Sequence, residues 1–221
     1  MKVAVVIPAK DEEKTIGHVV EGAKKHADLV IVVDDGSSDR TAERAAEAGA
    51  KVLKLSKNMG KGYAMRVGAK KAIEMGAECI VFMDADGQHR AEDLPKFVKG
   101  LEEADVVFGQ RSSGRMPVIK RVGNWGIAFL FRLLFGSWPG DMLCGFKAFR
   151  REALEKVWWK SNDYFVETEV TAKALLKKLR VKKIEIPVIY RERQKGTTVW
   201  DGIKIGLKML LLRLWLLGEK S

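Results

Sequence analysis

Asp84-Ala85-Asp86 follows directly on the apolar run Cys79-Ile80-Val81-Phe82-Met83. Two carboxylates at i and i+2 beyond a strand end can both reach one cation, or one can take the cation while its neighbour holds the ligand. A hard divalent ion such as Mg²⁺ accepts one or two carboxylates and completes its shell with substrate phosphates. Gln88 and His89 follow within reach. An Asp-X-Asp taken alone is commonly a solvated turn or a helix cap; its position at a strand's carboxyl end is what favours chemistry. A second acidic group, Asp34-Asp35-Gly36-Ser37-Ser38-Asp39, also stands after an apolar run. Gly36 permits a tight turn, and Ser38 or Asp39 can cap the next helix. Capping accounts for Asp39. It does not account for Asp34 and Asp35, either of which can accept hydrogen bonds from a nucleobase or ribose.

The basic residues suggest an anionic ligand. In Asn58-Met59-Gly60-Lys61-Gly62, ahead of a helical stretch, the glycines let the backbone approach a phosphate and Lys61 adds a point charge. The spacing is not that of a Walker loop, so this segment is weak evidence by itself. On a helix over residues 119–135, Arg121, Asn124 and Arg132 form a polar stripe among aromatics, with Arg111 and Arg115 upstream. Arg191, Arg193 and Lys195 follow a later strand-like run. A solvated face is the ordinary reason for charges on a helix. An apolar helix bearing arginines also suits a lipid with a phosphate head group.

The elements that must carry these residues alternate. Apolar runs at 3–7 and 29–33 read as buried strands, 51–55, 79–83 and 105–108 as further strands, and 12–25, 39–48, 64–74 and 93–102 as the helices between them. That alternation predicts a parallel sheet covered on both faces, with ligands at the carboxyl ends of its strands. Beyond Gly114 the pattern changes to a long aromatic helix at 119–135, helices at 152–159 and 165–179, a strand at 183–190 and an apolar helix at 200–217. No internal repeat is visible. The expectation is one α/β domain over 1–198 with a terminal helix over 199–221.

Composition narrows the partners. The 221 residues hold 40 Lys and Arg against 29 Asp and Glu, a net charge of +11 that favours nucleic acid, an anionic membrane or phosphate-bearing substrates. Hydrophobic residues at 47% exclude a disordered chain, and two cysteines exclude a disulfide framework. Met1 leads straight into a strand, so no signal peptide is expected, and no uninterrupted apolar run reaches the roughly 18 residues of a membrane span. The expectation is a soluble or peripheral protein on the cytoplasmic side. A nucleic-acid-binding module leaves Asp84, Asp86, Asp34 and Asp35 unexplained, since their charges repel a phosphate chain; no nucleic-acid partner is expected.

Together the motifs resemble the family-2 inverting glycosyltransferases, in particular the dolichyl-phosphate mannose synthase group. The matching stretches are Val6-Ile7-Pro8-Ala9 with Glu12, Val33-Asp34-Asp35-Gly36-Ser37, Met83-Asp84-Ala85-Asp86 with Gln88, Gly109-Gln110-Arg111, Asp141-Met142-Leu143-Cys144-Gly145-Phe146, Glu169, and Ile186-Pro187-Val188 through Arg193 to Lys195-Gly196-Thr197. They run in unbroken order over nearly the whole chain. The resemblance implies a GT-A fold with C-terminal interfacial helices, residues 1–110 binding the nucleotide sugar and 111–198 the acceptor. It implies that Pro8, Ala9, Glu12, Asp34 and Asp35 hold the nucleoside. Asp84, Asp86 and Gln88 would serve a metal, Mg²⁺ or Mn²⁺, and the ribose-phosphate. Arg193, with Lys195 and Lys61, would meet the donor diphosphate; Arg111 and Arg121 would hold the acceptor phosphate; Asp141 and Asp86 would lie near the reacting centre.

Three departures stand out: membrane-spanning helices are absent, Asp11 replaces the usual Asn, and residues 58–62 look more like relatives that use UDP-glucose. The implied activity is transfer of a hexose to a polyprenyl phosphate, from GDP-mannose or alternatively from UDP-glucose or another UDP-sugar. Transfer to a sugar hydroxyl is the rival. Its synthase-type members carry a Gln-X-X-Arg-Trp segment, whereas here only Arg213-Leu214-Trp215 brings Arg near Trp. A phosphate monoester with a second pKa of about 6 is largely ionised at neutral pH, so it needs positioning more than a base. Asp141 is then an orienting group; for a hydroxyl acceptor it would be the first candidate base. The terminal helix would have to bury Lys204, Lys208 and Arg213 to cross a bilayer, at about 2.5–3.5 kcal/mol each. An interfacial position is therefore expected, the alternatives being packing on the domain's own core or in a homo-oligomer. A separate membrane-anchor subunit is also open as a partner.

Overall fold

The computed structural model describes residues 1–111, 118–187 and 199–218. Among the described residues seven strands form one sheet: β1 (Val3–Ala9), β2 (Leu29–Asp34), β3 (Lys51–Lys54), β4 (Cys79–Phe82), β5 (Val106–Arg111), β6 (Lys147–Arg150) and β7 (Val181–Ile186), in the order β3-β2-β1-β4-β6-β5-β7. All neighbours are parallel except that β6 runs antiparallel to β4 and to β5. β1 and β4 are buried on both faces, as their unbroken apolar sequences require.

The helices cover those faces. α1 (Ile16–Lys24) lays Ile16, Val19, Val20 and Ala23 on one side of the sheet. α3 (Lys61–Glu74) lies against the other side through Ala64, Met65, Ala69 and Ala72, and Gly68 brings its axis close to β1 and β2, since a Cβ there would run into Val6. α2 (Thr41–Glu47) and α4 (Leu94–Gly100) complete the first half, and α6 (Arg151–Lys156) and α7 (Val166–Leu176) the second. Each buried Val, Ile or Phe in these clusters contributes about 1.5–3 kcal/mol against exposure.

β6 departs from the sequence reading, which left 147–150 without a strand. It inserts between β4 and β5, with Lys147 opposite both Phe82 and Phe108. Because it is antiparallel, its amino end lies at the carboxyl ends of its neighbours. The turn before it, Asp141 to Phe146, therefore enters the edge where Asp84 leaves β4 and Arg111 ends β5. The buried Lys147 ammonium donates to the carbonyls of Met142 (2.9 Å) and Cys144 (2.5 Å), which shapes that turn.

The last strand also shifts: β7 spans 181–186 rather than beginning at 183, and α6 stops at Lys156. The two long helices form as expected, α5 (Val118–Phe135) and α8 (Val199–Gly218). They pack together over a third apolar cluster of Ala128, Phe131, Phe135, Ile205, Met209 and Leu212, joined by Phe165 of the segment leading into α7. Gly206 permits the approach; a Cβ there would lie 3.3 Å from Leu130 Cδ2. Part of α8 thus packs on the domain's own core, and only its other face remains available to a membrane. Among the described residues no helix is long and apolar enough to cross a bilayer.

Candidate active site

Lys61 opens α3 at the carboxyl edge of the sheet, where Gly60, at φ +96°, turns the chain into the helix. Its ammonium lies 2.6 Å from Asp84 Oδ1 and 2.5 Å from Glu167 Oε1 in the first turn of α7. Lys61 is 14% exposed and Glu167 5%, so the three charges meet largely out of water. Burial opposes the charge on Lys61, but the two carboxylates hold the ammonium firmly protonated. Burial likewise opposes ionisation of Asp84, and Lys61 reverses it, holding that carboxyl well below the usual range. Gly145 closes the other side of Asp84: any side chain there would run into the carboxylate.

Asp86 has the opposite electrostatics. Burial first, and the Asp84 charge second, push its carboxyl up to about 6. It accepts the Gln88 N–H at 3.0 Å and a hydrogen bond from the Gln88 side-chain amide. Two neighbouring acids, one reluctant to ionise beside the other, form a donor set suited to a hard divalent cation, which would relieve that repulsion. Among the described residues no group of three His, Cys, Asp or Glu closes into an all-protein metal cage. The remaining ligands of such an ion would have to come from substrate phosphates or water. His89 is buried, and burial lowers it to about 4, so it is neutral at pH 7. Its Nδ1 accepts the Asp84 N–H at 3.4 Å, and its ring packs on Phe146.

The ends of β1 and β2 form the neighbouring part of the same sheet edge. Ala9 pairs with Asp34 in register, Pro8 with Val33, and the Asp35 N–H donates to the Ala9 carbonyl at 2.8 Å. Asp35 accepts the N–H groups of Met59 (2.7 Å) and Gly60 (2.9 Å), so it fastens the loop that presents Lys61. Asp34 accepts the Ser37 N–H through Oδ1, and its Oδ2 is buried with no partner among the described residues. A buried acceptor left open in this way is expensive unless a ligand completes it. Glu12 accepts from Thr15 Oγ1, and burial raises its carboxyl. Asp39 accepts the Thr41 N–H at the start of α2, but Arg40 takes the N-cap position, so Asp39 supports the turn into the helix rather than capping it as anticipated.

On the far side of Asp84, Arg111 forms a two-pronged pair with Asp141, Nε–Oδ2 2.5 Å and Nη2–Oδ1 2.8 Å. Gln110 steadies the arrangement by accepting the Asp141 N–H at 2.7 Å. The expected residues Asp84, Asp86, Gln88, Lys61, Arg111 and Asp141 thus gather at one sheet edge. Arg121 lies on α5, its side chain outside the described residues; Arg193 and Lys195 fall outside them altogether. Glu167 and Lys147 escaped the sequence reading. The available signal was a buried-type helix, Val166 to Ala174, interrupted by acids that need a partner.

A mostly parallel sheet covered by helices, with an Asp-X-Asp at the carboxyl end of its fourth strand, is the GT-A architecture of glycosyltransferases. The family model Glycosyl transferase family 2 matches residues 4–158, and the chain belongs to that family. It is 34% identical over 239 residues to a UDP-N-acetylglucosamine–dolichyl-phosphate N-acetylglucosaminyltransferase of Methanococcus voltae, covering 95% of each chain. It is 29% identical over 237 residues to an undecaprenyl-phosphate mannosyltransferase of Micrococcus luteus, covering 100% of this chain and 96% of that one. Its fold is similar to the crystal structure of glucosyl-3-phosphoglycerate synthase from Mycobacterium tuberculosis in complex with Mg²⁺ and UDP, with a TM-score of 0.76 over 96% of this chain and 79% of that one at 24% identity. The protein is a glycosyltransferase.

Proposed function

We propose that this enzyme moves a hexose from a nucleoside diphosphate sugar onto a polyprenyl phosphate, with inversion, at the cytoplasmic surface of a membrane. The observation that carries the reading is the convergence at one sheet edge of the Asp84–Asp86 pair and the Arg111–Asp141 pair. The first suits a donor diphosphate and the second an anionic acceptor. In this reading residues up to about 110 bind the donor and those beyond it the acceptor. Pro8, Ala9, Glu12, Asp34 and Asp35 line the nucleoside, and the open Asp34 Oδ2 accepts from a ribose hydroxyl or a base N–H.

Asp84 and Asp86, with Gln88, would hold a divalent ion, Mg²⁺ or Mn²⁺, which when bound neutralises the leaving nucleoside diphosphate. The relative of the same fold from Mycobacterium tuberculosis was crystallised with Mg²⁺ and UDP. A phosphate oxygen of the acceptor attacks the anomeric carbon while the bond from that carbon to the diphosphate oxygen breaks. The nucleoside diphosphate leaves with the electron pair. No proton has to be removed, because the monoester is already ionised. Arg111, together with Arg121, orients the acceptor phosphate. Asp141, engaged by both prongs of Arg111, is an orienting group in this scheme rather than a base.

GDP-mannose is the donor expected from the sequence. The Lys61-Gly62 segment and the Methanococcus voltae relative favour the second reading, a UDP-sugar. Both relatives act, by name, on polyprenyl phosphates, which supports the acceptor class for this chain. Exposed apolar stripes on α5 (Trp125, Phe129, Leu133) and α8 (Leu207, Leu210, Leu211, Leu214) support attachment to a bilayer where such an acceptor resides. Net positive charge favours an anionic one. GDP- and UDP-sugars assayed with a polyprenyl phosphate and Mg²⁺ or Mn²⁺ test the proposal. One donor should give an organic-soluble labelled product that EDTA abolishes; labelled sugar recovered only in water would contradict it.

A further inference from the structure

Lys61 occupies the position a donor-bound cation would contest. Its ammonium lies 2.6 Å from Asp84 Oδ1, an oxygen that the reading above assigns to a divalent ion. A free dication approaching that oxygen meets a positive charge in a site with little solvent to screen it. A nucleoside diphosphate brings negative charge that offsets both cations at once. Glu167, 2.5 Å from the same ammonium and 5% exposed, gives Lys61 a second partner that persists if Asp84 is given up. Tyr164 adds its ring face 5.7 Å from the ammonium. The Lys61 backbone stays fixed meanwhile, because Asp35 holds the N–H groups of Met59 and Gly60.

We infer that Lys61 is the resident counter-ion of Asp84, displaced when the donor diphosphate and its divalent ion arrive together, with Glu167 keeping the ammonium paired during the exchange. The inference rests on the metal reading of Asp84 and Asp86. It makes metal affinity depend on nucleotide, and nucleotide affinity on metal, by the same factor. It also gives the buried Glu167 a task that the transfer step does not require.

The test is Mn²⁺ binding to the full chain, read from the electron paramagnetic resonance of free Mn²⁺, without nucleotide and with UDP or GDP. The wild-type protein should bind Mn²⁺ alone weakly and more tightly with one of the nucleotides. Lys61→Met, which keeps the stem and removes the charge, should tighten binding of Mn²⁺ alone by about 10-fold and reduce the nucleotide enhancement correspondingly. Glu167→Gln, which leaves Lys61 to Asp84 alone, should weaken binding of Mn²⁺ alone. A misfolded variant cannot reproduce the gain in affinity, and the two variants shift in opposite directions. Lys61→Met binding Mn²⁺ no more tightly than wild type would overturn the exchange while leaving the metal site standing. Wild-type protein that binds no Mn²⁺ even with UDP or GDP would overturn the metal reading, and the exchange with it.

Discussion

Asp84 is constrained from three directions: the Lys61 ammonium, the His89 ring and the bare backbone of Gly145. Neutralising it removes the charge that the proposed donor site requires, while Glu167 still pairs Lys61. Asp84→Asn should therefore lower turnover by about 100-fold or more, the scale of losing one preorganised electrostatic contact. Its thermal unfolding midpoint should stay within a few degrees of wild type; a collapse of the midpoint would mean that Asp84 is structural. In the proposed reading Arg111 serves the acceptor. Arg111→Ala should raise the KM for polyprenyl phosphate while nucleotide binding by calorimetry is retained. Arg111→Lys should restore part of the loss, because it keeps the charge but not the two-pronged grip on Asp141. Equal losses of donor and acceptor binding would point to folding instead.

At the scale of elements, α7 is tied to the segment before it by Glu169. That carboxylate accepts the N–H groups of Lys160 (3.0 Å) and Ser161 (2.9 Å) and pairs with Lys173 at 2.7 Å. Burial raises its pKa, but Lys173 and the hydrogen bonds outweigh burial and hold the carboxyl below its ordinary value. A depressed folded pKa contributes stability above the unfolded value and loses it as pH falls through the folded one. Glu169→Gln should thus cost about 3 kcal/mol at pH 7, where Lys173 is left uncompensated. The difference from wild type should close as pH falls below about 4, the unfolded carboxyl range. Denaturant unfolding at both pH values checks this. Glu169 was visible in the sequence as part of a motif, and so were the alternating strands, because five apolar runs end in polar turns. β6 was not. It is four residues long, begins with a lysine, and owes its place to neighbours that lie far away in the chain. Glu167 was hidden for a similar reason: its partner Lys61 is 106 residues away. The Asp35 carboxylate also grips the backbone of the Lys61 loop, a task only tertiary structure reveals.

For the whole molecule, α5 and α8 turn one side toward each other and leave apolar stripes outside. Removing α8 would uncover Phe131 and Phe135, so truncation confounds membrane attachment with loss of core packing. Leu211 and Leu214, 65% and 66% exposed, separate the two. Leu211→Glu combined with Leu214→Glu removes two side chains each worth about 1.5 kcal/mol or more on burial. Partition onto anionic vesicles should fall by about 100-fold, with nucleotide binding unchanged; co-sedimentation equal to wild type would exclude this face. The proposed reaction is attack by a phosphate oxygen on the anomeric carbon with the nucleoside diphosphate leaving. Proton NMR of the purified lipid product from an α-linked donor tests it most directly. A β-linked hexosyl monophosphate of the polyprenol is expected, formed with one nucleoside diphosphate released per transfer; an α-linked product, or sugar joined to a hydroxyl rather than to phosphate, would overturn the proposed reaction.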